Sequence, residues 1–116
     1  MTLRRRQLGR EGEKQAAQFL RRLDYSILGC NVLSQSGEID ILAQDKDTLV
    51  LVEVKTKSSN RLGSPEDMVD WKKRQKLIRL AQEVSQRFPE YPVRIDVVAI
   101  IEDKVSHIIN AVEDER

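Results

Sequence analysis

Asp40, Glu53 and Lys55 are the residues of this chain whose types and spacing could do chemistry. They fall on two segments that read as strands, residues 37–43 and 49–55, joined by the polar turn Gln44, Asp45, Lys46, Asp47 and Thr48. The second segment is apolar on both faces at its start, Leu49 and Leu51 on one side, Val50, Val52 and Val54 on the other. That is the pattern of an interior strand covered on both faces. The leucine face nevertheless continues into Glu53 and Lys55, and Asp40 interrupts Ile39 and Ile41. Charges placed there are costly unless they are paired or bound to a metal.

Register sharpens the point. A turn closing through Lys46 and Asp47, or through the longer Asp45 to Thr48, sets Asp40 opposite Glu53 with Cα atoms about 4.5–5.5 Å apart. Like charges so placed destabilise a sheet, and a divalent cation between them reverses the sign. Carboxylate oxygens suit Mg2+ or Mn2+, ions commonly held by one or two carboxylates plus substrate phosphates. Lys55 projects to the side of Glu53, where an ammonium can steady developing negative charge or orient a water. An edge hairpin with solvated charges is the plain alternative, and a three-residue loop would change the register; the valine run argues against the plain alternative.

The bulk composition narrows the rest. A chain of 116 residues is long enough for one domain with a real core, spanning residues 1–116, and has no room for a second. It is 40% hydrophobic and 34% charged, with a net charge of only +1, so bulk charge does not announce a nucleic-acid binder. Basic residues do cluster locally, as Arg4, Arg5 and Arg6, as Arg21 and Arg22, and as Lys72, Lys73, Arg74, Lys76 and Arg79. Such clusters are usually solvated faces. Cys30 is the single cysteine and His107 the single histidine, which excludes an intrachain disulfide, a cysteine zinc site and a multi-histidine site. His107 reads as structural. No segment resembles a signal core or a membrane span, so a cytoplasmic protein without a membrane partner is the expectation.

The remaining elements must position the three residues. Residues 8–23 read as a helix with Leu8, Gly12, Ala16, Phe19, Leu20 and Leu23 along one stripe. Gly12 is unhelpful to a helix and implies close packing there. Glu13 lies at the stripe's margin, either facing solvent or reaching over the sheet. Residues 25–33 read as a first strand broken by Gly29, and residues 56–65 as a polar loop. A second helix is expected from about residue 65 to 88, with Ser64 as N-cap and Pro65 in its first turn. Its stripe is Val69, Leu77, Leu80, Ala81, Val84 and Phe88. Lys73 falls on that stripe, so it either snorkels out or points into a polar pocket by the sheet. Trp71 is offset from the stripe. Residues 93–101 and 105–109 read as two further strands, with Asp96 structural and partnered either by Arg94 on its own face or by a basic residue elsewhere. Helix, three strands, helix and two strands give a central mixed sheet flanked by helices, an α/β/α sandwich.

Asp40, twelve intervening residues and then Glu53-Val54-Lys55 resembles the signature of the PD-(D/E)xK nuclease superfamily, the restriction-endonuclease-like fold shared with Holliday-junction resolvases. The chain is similar more closely to the small YraN-like uncharacterised bacterial proteins. That likeness rests on Gly9, Gly12-Glu13, Ala16, Leu20, Asn31, Gly37-Glu38-Ile39-Asp40, Val52 to Thr56, Gly63-Ser64-Pro65, Val69, Lys73 and Arg94 to Val97. The resemblance implies a restriction-endonuclease-like α/β/α sandwich. It implies Asp40, Glu53 and the Val54 carbonyl as metal ligands, Lys55 as catalytic lysine, and Glu13 and Lys73 as helix residues of the site. Arg74 stands where such sequences often have glutamine and Lys57 where arginine is common, which bears on outer contacts more than on the metal site.

The function expected on these grounds is a Mg2+-dependent endonuclease hydrolysing DNA phosphodiester bonds, with branched DNA as a candidate substrate. Arg4, Arg5, Arg6, Lys57, Arg61, Lys72, Arg74 and Lys76 would hold the nucleic-acid backbone. A symmetric homodimer would suit junction substrates of two-fold symmetry. The alternative is a non-catalytic nucleic-acid-binding or protein-interaction module on the same fold.

Overall fold

The computed structural model describes residues 3–57 and 69–112, with side chains from Gly9 onward. The chain order is α1 (Leu3–Arg22), β1 (Ser26–Ser34), β2 (Gly37–Asp45), β3 (Thr48–Lys57), α2 (Trp71–Arg87), β4 (Val93–Ile101) and β5 (Lys104–Ile108). The strands form one five-stranded sheet in the order β1-β2-β3-β4-β5. Its pairs are antiparallel except for β3 with β4, which are parallel because α2 carries the chain between them. This is the expected mixed-sheet α/β/α sandwich, an architecture consistent with the restriction-endonuclease-like fold.

Alternation along the central strand β3 builds a core on each face of the sheet. Val50 and Val52, with Val54 beside them, pack against Ala16, Ala17 and Leu20 of α1, together with Ile41, Ala43, Val98 and Ile100. Leu49 and Leu51 face the other way, against Leu77, Leu80 and Val84 of α2, with Ile39 and Ile95. Burying a leucine such as Leu20 or Leu80 contributes about 2 kcal/mol, so α1 and α2 are held by area rather than by propensity. Gly12 is the closest approach of α1 to the sheet. A methyl group there would stand 2.2 Å from the Thr56 hydroxyl oxygen, which explains a glycine inside a helix.

Several boundaries differ from the sequence reading. Val69 and Asp70 lie outside α2, and Asp70 is its N-cap in extended backbone, accepting the Lys73 N–H at 2.9 Å. Ser64 and Pro65, the expected start, lie outside the described residues. Leu23 and Phe88, placed on helix stripes, follow the last helical residues and are largely exposed. Trp71 opens α2 exposed to solvent. β1 contains a bulge between Ile27 and Gly29, where the sequence suggested a break. Among the described residues no helix is long and apolar enough to cross a membrane.

Asp96 is fully buried in β4 and has the partner expected of it. Arg94 Nε donates to its Oδ1 at 3.0 Å and His107 Nε2 to its Oδ2 at 2.8 Å, while the Asn110 N–H donates to Oδ1 at 3.0 Å. Arg94 also reaches Asp45 at 3.2 Å and the Tyr25 hydroxyl. The edges of Phe19 and Tyr25 close on the His107 ring, both with centroids 5.8 Å away. His107 is therefore a structural ligand of Asp96. Burial alone would raise the Asp96 pKa, but the bonds from His107, Arg94 and Asn110 outweigh it and hold the carboxyl below its ordinary value.

Candidate functional site

The turn through Lys46 and Asp47 gives the anticipated register. Pairing of β2 with β3 runs from Asp45↔Thr48 to Ile41↔Val52, and the next residues along are Asp40 and Glu53. There the backbone pattern changes. The Val54 N–H, which the antiparallel alternation would direct to Ile39, instead donates to Asp40 Oδ2 at 2.9 Å. A carboxylate thus enters the ladder where β2 and β3 part. The consequence is electrostatic. Burial first, then the charge of Glu53, push the Asp40 carboxyl up to about 6 despite the Val54 N–H; Glu13 adds to the rise and Lys73 opposes it.

Glu53 continues the leucine face of β3 and is almost fully buried. Two ammonium groups compensate it on one oxygen: Lys73 Nζ stands 2.9 Å from Oε1 and Lys55 Nζ 3.5 Å from the same atom. Lys73 is the polar interruption of the α2 stripe, one turn before Leu77, so the helix that packs Leu77 against the sheet also aims Lys73 at Glu53. Burial works against its charge, but the hydrogen bond to Glu53 and the charges of Glu53 and Asp40 prevail and raise its pKa. Of the two orientations open to Lys73, it takes the pocket beside the sheet.

Glu13 approaches from α1. It is half-buried, and its Oε2 accepts a hydrogen bond from Asn31 Nδ2 at 3.0 Å. Asn31 lies across from Asp40, between the paired positions Cys30↔Ile41 and Val32↔Ile39. It has φ of 53°, a left-handed conformation that asparagine tolerates better than most residues. The sequence reading gave Asn31 no place in the site; only its tolerance of this backbone hints at one. Glu83 of α2 was missed as well. It accepts hydrogen bonds from Ser34 Oγ at 2.5 Å and from the N–H of Ser36 at 3.0 Å, which fasten the β1–β2 turn to α2 and lower its pKa.

The structure brings Asp40, Glu53, Lys55 and Lys73 together, with Glu13 near enough to act on Asp40. Val54 contributes its N–H to Asp40. Among the described residues no set of three or more histidine, cysteine, aspartate or glutamate side chains converges as a metal cage. The donor set is a pair of carboxylates, the kind that relies on substrate and water oxygens for the rest of a Mg2+ shell. The outer basic residues are more dispersed. Lys72 and Arg74 are exposed on α2, and the end of the Lys76 side chain lies over Gly37, whose φ of +147° favours glycine. Lys57 shares a groove with Glu11, Glu102 and Asp103. Arg61 and the side chains of Arg4, Arg5 and Arg6 lie outside what the structure describes.

Comparison with known proteins adds a family. The sequence profile described as Uncharacterised protein family UPF0102 matches residues 12–100. A UPF0102 protein of Thermodesulfovibrio yellowstonii is 46% identical over 106 residues, covering 90% of this chain and 95% of the relative. One of Persephonella marina is 42% identical over 105 residues, covering 89% and 90%. One of Syntrophomonas wolfei is 43% identical over 114 residues, covering 91% and 97%. The matched region holds every residue of the Asp40–Glu53 cluster.

Proposed function

The chain belongs to the UPF0102 family, and for it we propose a divalent-metal-dependent endonuclease that hydrolyses phosphodiester bonds of DNA. The observation that carries this reading is the opposition of Asp40 to Glu53 at the parting of β2 and β3, with Lys55 and Lys73 beside them. Placement of the chain in the PD-(D/E)xK nuclease superfamily belongs to the same proposal and rests on that motif in that setting.

Two hard-oxygen carboxylates side by side fit a divalent cation, because a cation offsets both the burial and the Glu53 charge that push the Asp40 carboxyl up to about 6. Asp40 and Glu53 would hold Mg2+ or Mn2+, with the Val54 carbonyl as a backbone ligand. Bound there, the ion supplies a more acidic water and neutralises charge on the scissile phosphate. Lys55, on the face and oxygen of Glu53, stabilises negative charge developing on the phosphate or orients the attacking water. Lys73 holds the Glu53 side chain in place through its contact with Oε1. Glu13, held by Asn31, adds a third negative charge near Asp40 and favours a cation there. Lys72 and Arg74 lie on the first turns of α2, toward the site, as backbone contacts.

The test is incubation of the purified protein with Mg2+ or Mn2+ and linear, flapped and four-way DNA. Wild type should cut at least one of these, and Lys55→Ala should cut roughly 100-fold more slowly. Absence of cutting by wild type, or equal cutting by the variant, rejects the proposal.

One observation favours a second reading, a non-catalytic nucleic-acid-binding module. Glu53 is already neutralised by Lys55 and Lys73 without any metal. DNA binding that survives Asp40→Asn with no metal-dependent cleavage would select this reading.

A further inference from the structure

Three bases of helix α1 share one of its flanks. Arg10, Lys14 and Arg21, with Gln18 among them, line a groove of about 360 Å3 whose other wall includes Cys30 of β1. Glu11 instead lines a separate groove with Lys57, Glu102 and Asp103. Positions 10, 14, 18 and 21 follow helical spacing, so the first groove has a continuous stripe. The eleven residue steps from Arg10 to Arg21 cover about 16 Å of helix axis, the rise of roughly five phosphates of one strand.

The facing wall accepts such a ligand. β1 is an edge strand whose nine residues, SILGCNVLS, carry no charge, although the chain as a whole is 34% charged. A polyanion in the groove would therefore meet cations on the helix side and neither repulsion nor competing salt bridges on the strand side. Glu13 is the groove's single carboxylate, and its Oε2 is engaged by Asn31. Because Asn31 lies across from Asp40, the groove runs up to the cluster at Asp40 and Glu53.

We infer that the groove between α1 and β1 carries the sugar-phosphate backbone of a nucleic acid up to the Asp40–Glu53 site, with Arg10, Lys14 and Arg21 as its phosphate contacts. The inference rests on the nuclease reading and names the path of its substrate. Among the basic residues singled out from sequence, none of these three was assigned to nucleic acid.

The experiment measures binding of a short labelled DNA duplex by fluorescence anisotropy across a salt series, without added metal so that no strand is cut. Wild type is compared with the triple variant Arg10→Gln, Lys14→Gln, Arg21→Gln. A charge-matched control carries Arg22→Gln, Arg79→Gln and Arg87→Gln, all exposed positions. The first triple variant should bind roughly 100-fold more weakly near 0.1 M salt, and its salt slope should be about 2 to 3 units smaller. The control should lose much less. Thermal melts of both variants verify that folding is unchanged. Equal binding by wild type and the first variant, or equal losses in the two variants, overturns the inference and leaves the nuclease reading standing. If wild type binds no duplex with or without Mg2+, both fall together.

Discussion

Lys73 Nζ lies 2.9 Å from Glu53 Oε1, joining the first turn of α2 to the central strand at the one point where the leucine face of that strand turns acidic. The contact explains a lysine on an otherwise apolar stripe. Lys73→Met should destabilise the metal-free protein by about 1 kcal/mol, a modest value because the ammonium is partly solvated. Urea unfolding of Lys73→Met, Glu53→Gln and the double variant measures the coupling. Additive effects would show that the pair contributes nothing of its own.

The Asp40–Glu53 opposition predicts a pH signature. The folded Asp40 carboxyl is raised from 3.8 to about 6, so the folded state holds a proton that the unfolded chain releases sooner. Stability drawn from that proton is full below pH 3.8 and is lost as pH rises through about 6. Metal-free protein should accordingly weaken over this window, and Asp40→Asn should remove the slope. At alkaline pH that variant should be more stable than wild type by roughly 1–2 kcal/mol, measured by urea unfolding in chelator.

Added metal should act in the same window. Mn2+ should raise the melting temperature of wild type more above pH 7 than at pH 5, where Asp40 is largely protonated. Asp40→Ala should abolish the rise. A pH-independent shift, or one that persists in the variant, would place the metal elsewhere.

Asp96 behaves in the opposite sense. Its carboxyl is held below its ordinary value, so its contribution is full above pH 3.8 and disappears as pH falls through the lower folded value. Asp96→Asn leaves Arg94 only Asp45 as a charge partner, removes the charge that His107 meets, and should cost about 2 kcal/mol at neutral pH. The acid limb of the stability profile should flatten in that variant, which urea midpoints across pH can measure.

Gly12→Ala gains about 1 kcal/mol of helix propensity yet should lower stability by about 1–2 kcal/mol net. The added methyl meets the Thr56 hydroxyl at 2.2 Å. Combining it with Thr56→Ala should recover much of the loss, as read from thermal melts. Failure to recover would move the clash from Thr56 to the helix axis itself.

The elements were legible where burial leaves a period in the sequence. The valine and leucine alternation of β3 announced an interior strand, and its two faces do receive α1 and α2. The Lys46–Asp47 turn fixed the register that sets Asp40 against Glu53, since a side-chain period of two excludes one-residue slips and the turn selects among the rest. Helix α2 starts at Trp71, after the cap Asp70 bonded to Lys73, so the expected helix does not run through Val69 and Asp70; Ser64 and Pro65 lie outside the described residues. Leu23 and Phe88 continued helix periods in sequence after the helices themselves had ended.

By itself the sequence determined the sandwich, the hairpin and the presence of charges in a buried strand, because periodicity and turn chemistry are local. It also proposed Arg94 as the partner of Asp96, two residues away on the same face. Only the tertiary structure decided what the other charges face. Lys73 could have pointed to solvent, and packing of Leu77 and Leu80 turned it onto Glu53. Glu13 could have faced water, and a left-handed Asn31 across the sheet drew it toward Asp40. His107, the lone histidine, became a ligand of Asp96 through strand pairing that no local pattern encodes. Partners distant in sequence are chosen by the packing of whole elements, and that choice separates a set of charged residues from a site.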